Sequence, residues 1–124
     1  MAGKGPSRRP EQVAEQIRAV LASALLRGEV RDPRVSLVTI SGVEVTRDLS
    51  TATVRVVPPG DDEEARAEAV AGLQSAAGFL RRLLARELTT RGVPELRFVR
   101  DVGHDHALRI DRLFAELKRD EVDS

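Results

Sequence analysis

Apolar residues recur at spacings of three and four from Val13 through Ile17, Val20, Leu21 and Ala24 to Leu25, which predicts one amphipathic helix. Pro10 suits its first turn, and Gly28 followed by Asp32-Pro33 ends it. The pattern then shortens to strand-like runs. Leu37–Val45 is rich in Val, Thr and Ile, and Thr51–Val57 sets Thr53 and Arg55 against Val54 and Val56. Thr46-Arg47-Asp48-Leu49-Ser50 forms the hairpin loop between them, and Pro58-Pro59-Gly60 closes the second strand. A second helix opens at Asp61–Glu64 and runs to about Gln74, where Ser75-Ala76-Ala77-Gly78 interrupts it. Phe79, Leu80, Leu83, Leu84 and Leu88 restart an apolar stripe, with Arg81, Arg82 and Arg86 on its other side. Gly92 and Pro94 end that helix. Glu95–Arg100 reads as a third strand with Leu96 and Phe98 on one face. A final helix over Asp105–Arg119 carries Ile110, Leu113, Phe114 and Leu117. Strands joined by a long helical crossover predict a mixed sheet covered on one face by helices, an α+β or split α/β arrangement.

Composition narrows the class. One domain accounts for 124 residues, of which 41% are hydrophobic and 32% charged. No apolar run reaches the roughly 20 residues of a membrane span, and the basic N-terminus has no apolar stretch behind it. There is no cysteine, hence no disulfide framework or thiolate metal site, in keeping with a cytosolic protein. Net charge is zero, but its distribution is uneven. Residues 75–94 hold Arg81, Arg82, Arg86 and Arg91 against Glu87 alone, and residues 1–34 carry a second basic excess. Such faces suit RNA phosphates, which meet local potential rather than net charge; they also suit plain solvation of a helix.

Catalytic chemistry finds little to stand on. His104-Asp105-His106 resembles a metal cluster, yet residues two apart on a helix face apart, so a solvated loop and helix N-cap explain it better. The acids Asp61–Glu64 lack the spacing of a calcium loop, and no phosphate-cradling glycine loop or nucleophile elbow occurs. Phe79, Phe98 and Phe114 are the only aromatics, each inside an apolar pattern that predicts core packing. With no exposed aromatics to stack bases, RNA recognition would rest on backbone approach, helix dipoles and arginine. The break Ser75–Gly78 has two readings. Small residues let another element pack closely, or the second helix offers its N-terminus to a phosphate.

Several segments carry a family resemblance. Asp32-Pro33-Arg34, Val43–Ala52 across the hairpin, Ala76-Ala77-Gly78-Phe79-Leu80-Arg81, and Arg91-Gly92-Val93-Pro94-Glu95-Leu96-Arg97-Phe98 together resemble the ribosome-binding factor A family, over about Pro10–Leu117. The resemblance implies a type II KH-like domain: a three-stranded mixed sheet, an Ala-x-Gly kink between two helices at Ala76-Ala77-Gly78, and an additional C-terminal helix. The small, polar, proline-containing start predicts a flexible arm over residues 1–9, ahead of the domain over 10–119 and a flexible acidic tail over 120–124. The resemblance further implies a non-enzymatic monomer without cofactor, metal or membrane association. Such a factor binds the immature small (30S) subunit and its 16S rRNA in the cytoplasm during late maturation and cold adaptation, other assembly factors being further candidate partners. The implied contacts are the kink with Arg81 and Arg82, then Arg86, Arg91, Arg34 and Arg47. Arg55 stands where similar proteins often carry an aromatic. The alternative is a KH-like module that engages a protein without touching RNA.

Overall fold

The computed structural model describes residues 9–88 and 92–123. Its elements follow the expected order: α1 (Pro10–Leu26), a 3-10 turn (Pro33–Val35), β1 (Thr39–Val45), β2 (Thr51–Val57), α2 (Glu63–Ser75), α3 (Ala77–Glu87), β3 (Glu95–Arg100) and α4 (Val102–Asp123). In the sheet β2 is central, antiparallel to β1 and parallel to β3. Parallel strands need a long crossover, which the α2–α3 pair supplies.

Chain chemistry sets each boundary. Helix α1 starts with Pro10 at its first position. At its end Gly28, at φ +71°, donates to Leu25 while Glu29 donates to Ala24. This pair of bonds closes the helix in the left-handed turn that glycine adopts without a Cβ clash. The hairpin loop is tied by Thr46 and Asp48, whose side-chain oxygens accept the Ser50 N–H, and Thr46 Oγ1 also accepts that of Thr51. Helix α2 is capped by Asp62, whose carboxylate accepts the Glu64 N–H at 3.1 Å, and starts at Glu63. Two residues later than Asp61 is where the cap geometry, rather than the acidic run, places the start.

The inner face of the sheet (Ile40, Ala52, Val54, Val56, Leu96, Phe98) packs against Val13, Ile17 and Leu21 of α1, Leu73 of α2, and Leu80 and Leu84 of α3. The outer face is polar. Arg55 lies across Gly42 there and pairs with Glu44 at 3.0 Å. At the sheet edge, the Gln74 side chain donates to the Leu96 carbonyl at 3.1 Å and accepts the Phe98 N–H at 3.0 Å. One amide from α2 thus serves β3 as a short fourth strand would.

Four expectations are corrected. The strand expected from Leu37 begins at Thr39, because Pro33–Val35 forms the 3-10 turn and Leu37 adopts φ +62°. Helix α3 stops at Glu87 rather than continuing toward Gly92, with Leu88 extended and buried. The last helix is longer at both ends than Asp105–Arg119 and takes in the first four residues of the expected tail. Asp101 caps it by accepting the His104 N–H, and no breaker follows. Finally, Phe114 is 64% exposed, not core, and Phe79 is half-buried. Residues 1–8 of the expected arm and Ser124 lie outside the described residues.

Candidate nucleic-acid interface

The break between α2 and α3 is a single residue, Ala76, at φ −87° and ψ 2°. Its N–H reaches the carbonyls of Gly72 and Leu73, and its own carbonyl accepts the Leu80 N–H at 2.9 Å. The N–H groups of Ala77, Gly78 and Phe79 are then the first-turn donors that an α-helix leaves without an intrahelical partner. An alanine at the cap position offers no side-chain oxygen to satisfy them, and the first turn holds no acid. Helix α2 differs on both counts, having the Asp62 cap with Glu63 and Glu64 behind it. The positive end of α3 is therefore open to an anion, while that of α2 is already neutralised.

Gly78 is exposed, and an added Cβ would meet only Arg82 Nη1, at 3.7 Å. Its backbone is not left-handed, so the bend does not depend on glycine at 78. The surface there is kept low, with the Arg82 guanidinium beside it. Gly72 is the glycine that packing demands: a Cβ there would lie 3.0 Å from Val35 Cγ1, 3.2 Å from Asp32 Oδ2 and 3.3 Å from Arg34 Nε.

Those three neighbours belong to the segment after α1. Asp32 caps the 3-10 turn by accepting the Arg34 N–H, and its carboxylate takes Arg34 Nη2 at 2.7 Å. The hydrogen-bonded guanidinium, with further help from the backbone N–H, holds the Asp32 carboxyl below its ordinary value. Pressed against Gly72, this clamp fixes one wall of a groove of about 420 Å³ beside the kink, lined by Glu29, Arg31, Asp32, Ser75, Ala76 and Phe79 among others, so that two carboxylates share it with the Arg31 guanidinium.

The expected site residues divide accordingly. Ala76, Ala77, Gly78 and Arg82 come together at the kink, and Arg86 follows one turn along α3, exposed. Arg82 and Arg86 make no ion pair among the described residues. Arg81 is instead committed to the fold: its Nε donates to the Pro94 carbonyl at 3.2 Å and its Nη2 to that of Val93 at 3.0 Å. Arg34 is likewise held by Asp32. Arg47 stands on the β1–β2 hairpin and does not line the groove. Arg91 lies outside the described residues. Sequence reasoning missed Arg31 and Phe79 as groove residues; the basic tract around Arg27, Arg31 and Arg34 was the available signal, but not which of its members would be engaged.

His104-Asp105-His106 has another role than the expected solvated loop. Asp105 lies within α4 and accepts Arg66 Nη2 at 2.6 Å and Arg100 Nη2 at 2.9 Å. Burial acts to raise its pKa, but the two guanidiniums outweigh it and hold the carboxyl below its usual range. No group of three or more His, Cys, Asp or Glu suited to a metal occurs among the described residues. No helix among them is long and apolar enough to cross a membrane.

The helix–kink–helix crossover on an αββααβ chain with a three-stranded mixed sheet defines a type II KH-like α+β domain. The family pattern described as Ribosome-binding factor A matches residues 9–114. Ribosome-binding factor A of Desulforamulus reducens is 43% identical over 116 residues, covering 94% of this chain and 95% of that protein. That of Roseiflexus castenholzii is 48% identical over 108 residues, covering 86% and 82%. The solution structure of a Thermotoga maritima protein described as a putative ribosome binding factor A superposes with a TM-score of 0.64 at 37% identity, covering 78% of this chain and 91% of that one. The Thermus thermophilus factor, as a homology model fitted into a cryo-electron microscopy map of its 30S complex, gives 0.56 at 30% identity, covering 69% and 88%. The chain belongs to the ribosome-binding factor A family.

Proposed function

We propose that this protein binds the free, immature 30S subunit through its 16S rRNA and assists late maturation and processing of that RNA by binding, without catalysing a reaction. The observation that carries the reading is the uncapped, acid-free N-terminus of α3, flanked by Arg82 and opening on the groove that Arg31 lines. A phosphate there accepts first-turn N–H groups, and the low surface at Ala77 and Gly78 lets an RNA backbone approach. Support comes also from the relative fitted into a 30S complex.

Among the described residues, Arg31, Arg82 and Arg86 are the cations at this face that make no ion pair. Neutralising about three phosphates gives a logarithmic salt slope of about −2 to −3, between the values for a single strand and for a B-form duplex. The test is co-sedimentation with immature 30S subunits, mature 30S subunits and 70S ribosomes across a salt series. Salt-sensitive association with free immature subunits, lost in the Arg82→Glu, Arg86→Glu variant, is the expected result. Salt-insensitive association, or none at low salt, refutes the reading. Arg81→Glu is a poor substitute, since it also frees the loop before β3.

A further inference from the structure

From Val102 to Asp120, Asp105 is the one residue of α4 that is not exposed, and no residue of this helix belongs to the hydrophobic core. Among the described residues, the side-chain hydrogen bonds that tie α4 to the body are all ion pairs. Asp105 makes two of them. Its Oδ1 accepts Arg66 Nη2 at 2.6 Å, and its Oδ2 accepts Arg100 Nη2 at 2.9 Å. The third, from Arg112 to Asp61 at 3.2 Å, joins side chains 67% and 81% exposed, where water screens the attraction. The helix therefore hangs on one carboxylate and the two guanidiniums that grip it.

Those guanidiniums are fixed from the body side. Arg66 Nε donates to the Pro58 carbonyl at 3.2 Å, just past β2, while Arg100 ends β3 and also pairs with Glu63. Neither depends on α4 for its place. Their side chains are 14% and 22% exposed, and they converge on a single oxyanion, one on each oxygen. Arginines receive phosphate in the same way, because the planar fork matches phosphate and carboxylate oxygens alike. A cavity of about 440 Å³ opens beside the pair, with Arg109 and Arg112 of α4 also in its lining. Its other carboxylates, Asp61 and Glu63, have largely exposed side chains that can turn to water, whereas that of Asp105 sits inside.

We propose that Arg66 and Arg100 form a phosphate-binding site that Asp105 fills in the free chain, and that α4 is a latch: a phosphate group on the two arginines displaces Asp105 and lets the helix swing from the body. One oxyanion replaces another, so the guanidiniums keep their charge-assisted hydrogen bonds throughout. Releasing α4 exposes no core side chain, since none of its residues is in the core. The proposal does not rest on the kink. Arg66 precedes Ala76 by about 15 Å of helical rise along α2, and failure of rRNA to dock at the kink leaves the latch standing.

The chain has no cysteine, so Gln12→Cys on α1 and Glu116→Cys on α4 carry nitroxide labels at two exposed positions. Double electron–electron resonance on the full chain then reads the distance between the helices. In dilute chloride the distribution is narrow; about 20 mM inorganic phosphate broadens it, and sodium chloride of equal ionic strength, which only screens, does not. Asp105→Asn broadens it without phosphate and, with the competing carboxylate gone, binds inorganic phosphate at least about tenfold more tightly by calorimetry. Arg66→Gln in the Asp105→Asn protein removes that gain, and circular dichroism checks that each variant is folded. A short single-stranded RNA separates the sources of phosphate: release at a lower phosphate concentration than the inorganic ion needs assigns the site to a nucleic-acid backbone, and release at an equal one to the free anion. A distribution that phosphate leaves narrow, or that chloride broadens equally, overturns the proposal. So does a folded Asp105→Asn protein whose affinity for phosphate is unchanged.

Discussion

Replacing Gly72 by alanine sets two effects of known sign against each other. In a helix interior the exchange is worth about 1 kcal/mol of stabilisation from propensity alone. At Gly72, however, the new methyl meets Val35 Cγ1 at 3.0 Å, Asp32 Oδ2 at 3.2 Å and Arg34 Nε at 3.3 Å. Val35 is buried and cannot retreat freely, and Asp32 and Arg34 are held to each other by several hydrogen bonds. Overpacking of this kind costs about 1–3 kcal/mol, so crowding outweighs propensity and leaves a net loss of about 1 kcal/mol. For a domain of this size that is a fall of about 5 °C in melting temperature. Gly78→Ala is the control. Its methyl meets only Arg82 Nη1 at 3.7 Å, an ordinary contact, so the same substitution six residues along should stabilise by up to about 1 kcal/mol. Thermal and urea unfolding followed by circular dichroism compare the two variants directly. A Gly72→Ala protein that melts as high as Gly78→Ala would refute the argument that the Asp32–Arg34 clamp is pressed against α2.

Three further predictions test the scaffold around the site. Gln74→Ala leaves the Leu96 carbonyl and Phe98 N–H without their partner and should cost about 1–3 kcal/mol in urea unfolding, whereas a surface change at Glu68 should cost little. Asp105→Asn weakens the grip of Arg66 and Arg100 on α4; hydrogen exchange should quicken in α4 and stay unchanged in β3, and equal acceleration in both would contradict a local attachment. Asp32, Asp48, Asp101 and Asp105 all have lowered carboxyl pKa values in the fold. Their stabilisation is complete above the unfolded carboxylate value of about 3.9 and is lost as pH falls through the lower folded values. Stability should therefore hold from neutrality to about pH 5 and decline below about pH 4, and a loss centred near pH 6 would refute the assignment to these carboxylates.

Periodicity made the sheet and the helix order legible because local pattern and burial agree from Val13 to Phe98. Strand β2 matches its expected span, as does β3, and the kink falls within the expected segment at Ala76. What stayed hidden depended on contacts distant in sequence. Arg81 and Arg82 are adjacent and chemically alike, yet only the former reaches the carbonyls before β3. Asp32-Pro33-Arg34 carried the family resemblance, but its pressure on Gly72 needs the tertiary fold to appear. In α4 the pattern itself misled: Ile110, Leu113, Phe114 and Leu117 have core spacing, yet every residue from His106 to Asp120 is exposed. Arg55 also became intelligible only in place, lying over Gly42 with its charge taken up by Glu44.

The central claim is that the kink and its groove are where rRNA docks. Its most direct test is site-specific photo-crosslinking in complexes with immature 30S subunits, with a photoreactive residue placed at Ser75 or Arg31 beside the kink, or at Thr53 or Arg97 on the outer sheet face. Crosslinks to 16S rRNA from Ser75 and Arg31, and not from Thr53 or Arg97, are the expected result. Crosslinks to rRNA only from the sheet face, or only to ribosomal proteins from the kink, would contradict it.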